Sequence, residues 1–277
     1  MIEANHRRPE WLLKVLYAGS LVSLPMSLAQ GKRVKSASTS LPEAVGPNHG
    51  RRGNGEKARP VRVVVIGDST VSSVGVSSLQ EGVAARVAEE LVGETAGTVA
   101  WWAIGKRGAT ARRVRERLVP QLAEIDPDLV IVLLGVNDTT RLARSHDWRR
   151  QVKLLVDAIH SHKRCPIIFS QIPPVGLFPA IPQPLRTMLG LRAQSLDAVL
   201  ESVLGEIAGA IYCPVHFPVE DEYVAEDGFH PSALGYAEWG RQIAASILSN
   251  QALRRLVVTG VDVTSDASER MSLVMDR

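Results

Sequence analysis

Cysteine is almost missing from this chain: Cys165 and Cys213 are the only two in 277 residues. Two isolated cysteines make neither a disulfide framework nor a zinc knuckle, and each adjoins a proline beside an apolar run, where a buried thiol is expected. Aromatic residues are also scarce, at 5%, which leaves no stacking platform for single-stranded nucleic acid. The formal net charge is +3, yet residues 31–60 carry +5 and residues 1–30 carry +1, so the remainder stands at −3. No basic stripe falls on a recognisable element, and a nucleic-acid partner is not expected. No internal repeat is visible. What remains, 45% hydrophobic and 22% charged residues, is ordinary for a globular protein with room for one good-sized core.

Long apolar runs are missing too, with one exception. Residues 11–29, WLLKVLYAGSLVSLPMSLA, follow Arg7 and Arg8 and end in the small-x-small form of a signal-peptidase site. Lys14 and Pro25 interrupt the run, which is marginal as a membrane span. Three readings stand side by side: an export signal, a membrane anchor or surface-lying helix, and a plain N-terminal helix. Export or membrane association through residues 11–29 is favoured over a cytoplasmic location. Residues 31–60 are rich in Gly, Pro, Ser, Asn and Arg, and read as a basic flexible linker. Residues 251–277 read as a loosely attached tail, which leaves 61–250 as the folded domain.

Within that domain, short apolar runs alternate with helical patterns. The runs are VRVVVIG (61–67), TVAWWAI (98–104), DLVIVLLG (128–135), PIIFSQI (166–172) and AIYCPV (210–215). Near-continuous Val/Ile/Leu runs are what strands covered on both faces look like, and strands separated by helical crossovers pair in parallel. The expected fold is α/β: a three-layer α/β/α sandwich with a parallel sheet of about five strands, its last helix opened by Pro231. Ligands of such sheets bind at the C-terminal ends of the strands.

Three short blocks follow those ends, Gly67-Asp68-Ser69-Thr70, Gly105 to Thr110 and Gly135-Val136-Asn137-Asp138, and a fourth, Asp227-Gly228-Phe229-His230-Pro231, comes before the last helix. Together they supply a hydroxyl, a glycine backbone, an amide, and an imidazole with a carboxylate three residues before it. Acyl transfer needs this set. A serine attacks well only when a base takes its proton, imidazole is the usual base, and a carboxylate on the other ring nitrogen fixes the tautomer. Backbone N–H groups of Ser69 and Gly108 and the Asn137 amide could hold the oxyanion. Each block alone could merely be a turn or a cap; the conjunction along one sheet edge argues for chemistry. Other polar groups read as structural. His160 and His162 are two apart on a helix and share no face, Asp126 and Asp128 flank a strand start, and His146-Asp147 precede and cap a helix near Trp148.

The four blocks, in this order, resemble those of the SGNH hydrolases, also called the GDSL esterase/lipase family: GDS(T), G-x-T, G-x-N-D and D-x-x-H-P. The resemblance implies Ser69 as nucleophile, His230 and Asp227 as its triad partners, and Gly108 and Asn137 beside Ser69 in the oxyanion hole. It also implies a flavodoxin-like α/β/α sandwich and a serine esterase mechanism through an acyl-enzyme, with no metal or organic cofactor. Two positions depart from the family pattern. Thr70 stands where the family name has Leu, and the second block lacks the Asn that often precedes its glycine, so Gly105 rivals Gly108.

The substrate must come from local features. Residues 170–190, SQIPPVGLFPAIPQPLRTMLG, hold five prolines and few charges, and they follow the fourth run beside the expected site. Phe178, Leu185, Met188 and Leu189 could wall an acyl pocket; the same segment could simply cover the sheet edge. An apolar acyl ester or lipid ester is the expected substrate. A carbohydrate O-acetylesterase, or a catalytically silent lipid- or glycan-binding module of the same fold, is the alternative.

Overall fold

The computed structural model describes residues 9–37, 41–53, 59–95, 97–218 and 220–259. Its centre is a six-stranded sheet of β1 (His49–Arg52), β2 (Val61–Gly67), β3 (Val99–Gly105), β4 (Leu129–Leu133), β5 (Ile167–Ser170) and β6 (Ala210–Cys213), in the spatial order β1-β3-β2-β4-β5-β6. Strands β2 to β6 are parallel, and each of the five expected runs supplies one of them. The order of those five is the flavodoxin-like one, and it reverses between β2 and β4, which is where such a sheet offers a ligand crevice.

The runs are apolar at every position because both sheet faces are covered. Val64 and Ile66 of β2, with Val130 and Val132 of β4, pack beneath α4 (Ala111–Arg117), α6 (Ser145–His162) and α7 (Leu185–Leu204). Val63, Val65, Leu129 and Ile131 face the other way, beneath α3 (Val83–Thr95), α8 (Ala233–Ser249) and α9 (Gln251–Thr259). A short α5 (Val136–Thr140) follows β4 directly.

Several expectations need correction. Residues 31–60 are not simply a linker. A helix α2 (Leu24–Ala37) runs into the segment, and β1 pairs antiparallel with β3, His49 opposite Trp102 and Arg52 opposite Val99. An edge strand is held by its backbone and needs no apolar pattern, and basic residues suit an exposed edge. Gly50 suits it too, because a Cβ there would stand 2.8 Å from the Trp101 ring. The region after residue 250 does not begin as a tail: α9 buries Leu253, Leu256 and Val257 against the second core. Residues 260–277 lie outside the described residues. Helix α8 opens with Ser232, whose side chain accepts from the Gly235 N–H, so Pro231 precedes the cap. His146 and Asp147 lie inside the first turn of α6 and do not cap it.

The apolar N-terminal stretch forms α1 (Glu10–Ser20), a short 3-10 turn, and α2, both helices packed on the outside of α7. Among the described residues no single helix is long and apolar enough to cross a membrane.

Candidate active site

Gly67, the last residue of β2, pairs with Gly105 of β3 and with Leu133 of β4, at the reversal in strand order. A side chain there would overlap the Leu133 carbonyl oxygen, so glycine is what lets the central strands close together just before the turn. The chain then coils tightly. The Val71 and Ser72 N–H groups donate to the Asp68 carbonyl, and the Val74 N–H donates to the Ser69 carbonyl. Ser69 is set on this turn with 8% of its surface exposed.

His230 Nε2 lies 3.0 Å from Ser69 Oγ, and His230 Nδ1 lies 2.6 Å from Asp227 Oδ2. The other Asp227 oxygen accepts from the backbone N–H groups of Phe229 (3.0 Å) and His230 (2.9 Å). Burial pushes the Asp227 carboxyl up, but the hydrogen bonds from the His230 ring and from those two N–H groups outweigh it and hold it below the usual carboxylate range. An ionised carboxylate only accepts, so Nδ1 carries the proton that it donates to Asp227. Nε2 is then left to accept from the Ser69 hydroxyl. That is the proton arrangement which general-base activation of a serine requires.

Three N–H donors are the candidates for an oxyanion hole. Among the described residues, the backbone N–H groups of Ser69 and Gly108 have no hydrogen-bond partner. The Asn137 side-chain amide donates one N–H to Asp68 Oδ2 at 3.1 Å and keeps its second. The two rival glycines differ in kind. Gly105 is packed so closely that a side chain would overlap the Ser72 backbone nitrogen, whereas Gly108 has a φ of +70° with open space around it. Gly105 therefore serves strand packing, and Gly108 presents a bare N–H in the loop that leads into α4.

Asp68 is more than turn chemistry. It is 3% exposed; one oxygen accepts from the Thr70 N–H and hydroxyl, and the other fixes the Asn137 amide. Burial raises its carboxyl, and the bonds from Thr70 and Asn137 and the nearby His230 offset only part of that. Asp138 reaches back to accept from the Ala111 N–H at 3.1 Å, tying α5 to the start of α4. Burial first, and the Asp68 charge after it, push the Asp138 carboxyl up to about 7, against the pull of the Ala111 N–H. Nothing in the spacing of the motifs marked Asp68 and Asp138 for these tasks.

The raised Asp138 value has a consequence for stability. From its ordinary value of 3.8 up to about 7, the folded chain keeps a proton that the unfolded chain has lost, so stability falls as pH rises through that window. Asp138→Asn keeps an oxygen for the Ala111 N–H and removes the titration. The variant should gain on the parent by about 4 kcal/mol between roughly pH 4 and pH 8. Thermal melting across that range measures it, and a melting difference that does not change with pH would refute the assignment.

The relay opens into a pocket whose walls are largely apolar: Val136, Pro173, Pro174, Leu177, Phe178, Phe217, Tyr223, Phe229 and Trp239 among them. Of the four residues expected to wall it, only Phe178 does. Leu185, Met188 and Leu189 lie in the first turns of α7, 7%, 2% and 5% exposed, in the core beneath that helix. The Phe178 ring meets Phe229 edge-on at 4.9 Å, and Phe229 in turn lies 5.2 Å from the His230 ring. The Ala180 N–H donates to the Gly228 carbonyl at 3.2 Å. One wall of the pocket is thus pinned to the loop that carries the imidazole. The wall formed by Phe217 and Pro218 was not anticipated; it follows β6 and was findable by the rule that directed attention to the other strand ends.

A parallel sheet with a Ser–His–Asp relay at its order reversal is the arrangement that serine-dependent acyl transfer uses. Residues 65–238 match the model of the GDSL-like Lipase/Acylhydrolase family, and the chain belongs to that family. A GDSL-like esterase of Mycobacterium tuberculosis (strain ATCC 25618 / H37Rv) is 25% identical over 211 residues, covering 73% of this chain and 65% of its own length, just under two thirds. The fold resembles that of a lipase/acylhydrolase from Enterococcus faecalis, with a TM-score of 0.55 and 22% identity over 68% of this chain and 96% of that one. It also resembles a family 3 carbohydrate esterase from Clostridium thermocellum, with a TM-score of 0.58 and 15% identity over 72% of this chain and all of that one.

Proposed function

We propose that this protein hydrolyses carboxylic esters with an apolar acyl group, through an acyl-enzyme on Ser69. His230 takes the Ser69 proton as Oγ attacks the ester carbonyl, and Asp227 holds the resulting imidazolium. The Ser69 and Gly108 N–H groups and the free N–H of Asn137 receive the developing oxyanion. His230 then returns the proton to the departing alcohol. In the second half it takes a proton from water, which attacks the acyl-serine, and passes that proton to Ser69 Oγ as the acid leaves.

The observation that carries the acyl preference is the pocket wall. Leu177, Phe178, Phe217, Phe229 and Trp239 meet beside Ser69, where a short polar acetyl group would leave most of this surface in water. Each methylene transferred to such a wall contributes about 0.8 kcal/mol, or roughly fourfold in kcat/KM while space remains. Rates on p-nitrophenyl esters from acetate to palmitate test this. The expected profile rises from acetate to a medium or long chain. A maximum at acetate would favour an O-acetylesterase. A chain that is folded, inert to every ester and unlabelled by a fluorophosphonate would be a binding module.

A further inference from the structure

The N-terminal helix pair has two apolar sides, and among the described residues only one of them has a partner. On the inner side, Leu13 is 3% exposed, and the Tyr17 ring lies beneath the guanidinium of Arg192 of α7, 5.1 Å from centroid to Cζ. On the opposite side Trp11, Val15 and Val22 are 66%, 61% and 88% exposed. Trp11, Val15 and the exposed Ala18 share one face of α1, and Val22 lies in the turn that follows. Met26 of α2 continues the exposed apolar surface past the bend. Single exposed apolar residues need no explanation, but a stripe of this kind marks a contact surface.

We propose that this stripe seats in the interfacial layer of an anionic lipid bilayer. Two observations select that occupant. The first is charge: Arg7, Arg8, Lys14, Lys32, Arg33 and Lys35 against Glu3 and Glu10 give the first 37 residues +4, more than the +3 of the whole chain. Apolar side chains flanked by cations are what an anionic surface attracts. The second is shape: Trp11–Ser23 and Pro25–Gly31 have the apolar length of a span only when taken together, and they are bent by 72°. A bend of that size suits a pair lying along the interface better than a straight span.

Seating the pair also places the pocket. Gln30 of α2 donates from Nε2 to the Gln183 carbonyl at 2.6 Å and accepts from the Leu185 N–H at 3.2 Å. Those residues directly follow the segment that supplies Pro173, Pro174, Leu177 and Phe178 to the pocket. Leu177, at the pocket, is itself 53% exposed. A bilayer that holds the helix pair therefore holds the rim of the apolar pocket close to lipid.

The test uses the full chain with vesicles of phosphatidylcholine alone and of phosphatidylcholine mixed with phosphatidylglycerol. The chain should co-sediment with the mixed vesicles and far less with the neutral ones, and added salt should weaken the binding. The triple variant Trp11→Gln, Val15→Gln, Val22→Gln should lose binding by more than tenfold, since each residue removes apolar burial. Its melting temperature and its rate on a water-soluble short ester should be unchanged. Brominated lipid should quench the fluorescence of the parent chain, and Trp11→Phe should lose that quenching while the vesicles still bind. Equal binding to both vesicle types, no binding by the folded chain, or full binding by the triple variant would overturn the proposal. So would a dimer in light scattering that the triple variant breaks, because the stripe would then be covered by a second copy. Vesicle binding is read without any ester, so failure here and failure of the hydrolase reading are separate results.

Discussion

Replacing Ser69 by Ala should abolish ester hydrolysis and leave the fold untouched. Among the described residues the Ser69 hydroxyl makes one hydrogen bond, to His230 Nε2, and that nitrogen faces the pocket, where solvent can replace the lost partner. The melting temperature should therefore change little, by the equivalent of about 0.5 kcal/mol. The rate should fall by about 10⁴-fold or more, because no other group can form the acyl-enzyme. His230→Ala should fall equally far, and combining the two should cost little beyond either alone, since nucleophile and base act as one unit. Asp227→Asn tests the tautomer argument separately. An amide at that position can donate towards Nδ1, which turns the proton on Nε2 against the Ser69 hydroxyl, and a loss of about 10⁴-fold is expected. Steady-state rates on a p-nitrophenyl ester, with fluorophosphonate labelling alongside, measure all three. A Ser69→Ala protein that keeps more than about a hundredth of the rate would move the nucleophile elsewhere.

Gly67→Ala should be the most damaging of the small substitutions. Its added methyl would overlap the Leu133 carbonyl oxygen and stand 3.0 Å from a Val71 methyl. The carbonyl belongs to the neighbouring central strand, with the core packed on both faces, so it cannot retreat without spreading β2 from β4. Overpacking of this kind typically costs 1–3 kcal/mol, and a backbone obstacle should take it to about 3 kcal/mol or beyond. Spreading those strands also shifts the turn that presents Ser69 relative to Asn137, which follows β4. Whatever fraction folds should therefore hydrolyse poorly as well. Urea unfolding with rates measured on the folded fraction separates the two effects. A variant as stable and as active as the parent would show that the two strands part more easily than their packing implies.

The fold and the reacting groups were largely legible in the sequence, and for a common reason. A strand buried on both faces must be apolar throughout, so its end is marked by the first polar residues after it. In this fold those residues stand at the ligand edge, and Ser69 and Asn137 were legible in that way, while the block holding Asp227 and His230 was marked by its place before the last helix. The pocket was harder. Pro173 to Pro184 obscured where the loop ends, and the apolar residues just beyond it, Leu185, Met188 and Leu189, belong to the buried face of α7. Wall residues such as Phe217 come from a different loop, brought close by the order of the strands and not by the order of the chain. The edge strand β1 was hidden because its pairing is carried by the backbone of His49–Arg52, whose side chains advertise only charge. Helix α9 has a sequence signal of its own: Leu253, Leu256 and Val257 stand at helical spacing, though a polar sequence without a period follows them.

The relay joins positions 161 residues apart, and the groups it joins are contributed at opposite ends of the domain. Ser69 follows the first parallel strand, and His230 precedes α8, which lies against α3 and whose Tyr236 hydroxyl donates to the Val74 carbonyl of the serine turn at 2.7 Å. A growing polypeptide that has delivered its nucleophile still has most of the sheet to synthesise before any base can reach it. Hydrolytic competence is thus a late property of biosynthesis, gained only when the last helices close over the first turn. In the finished molecule the same arrangement makes turnover a sensitive report on the C-terminal helices. A protease cut or a local opening that loosens α8 would silence the serine while the central strands remain paired.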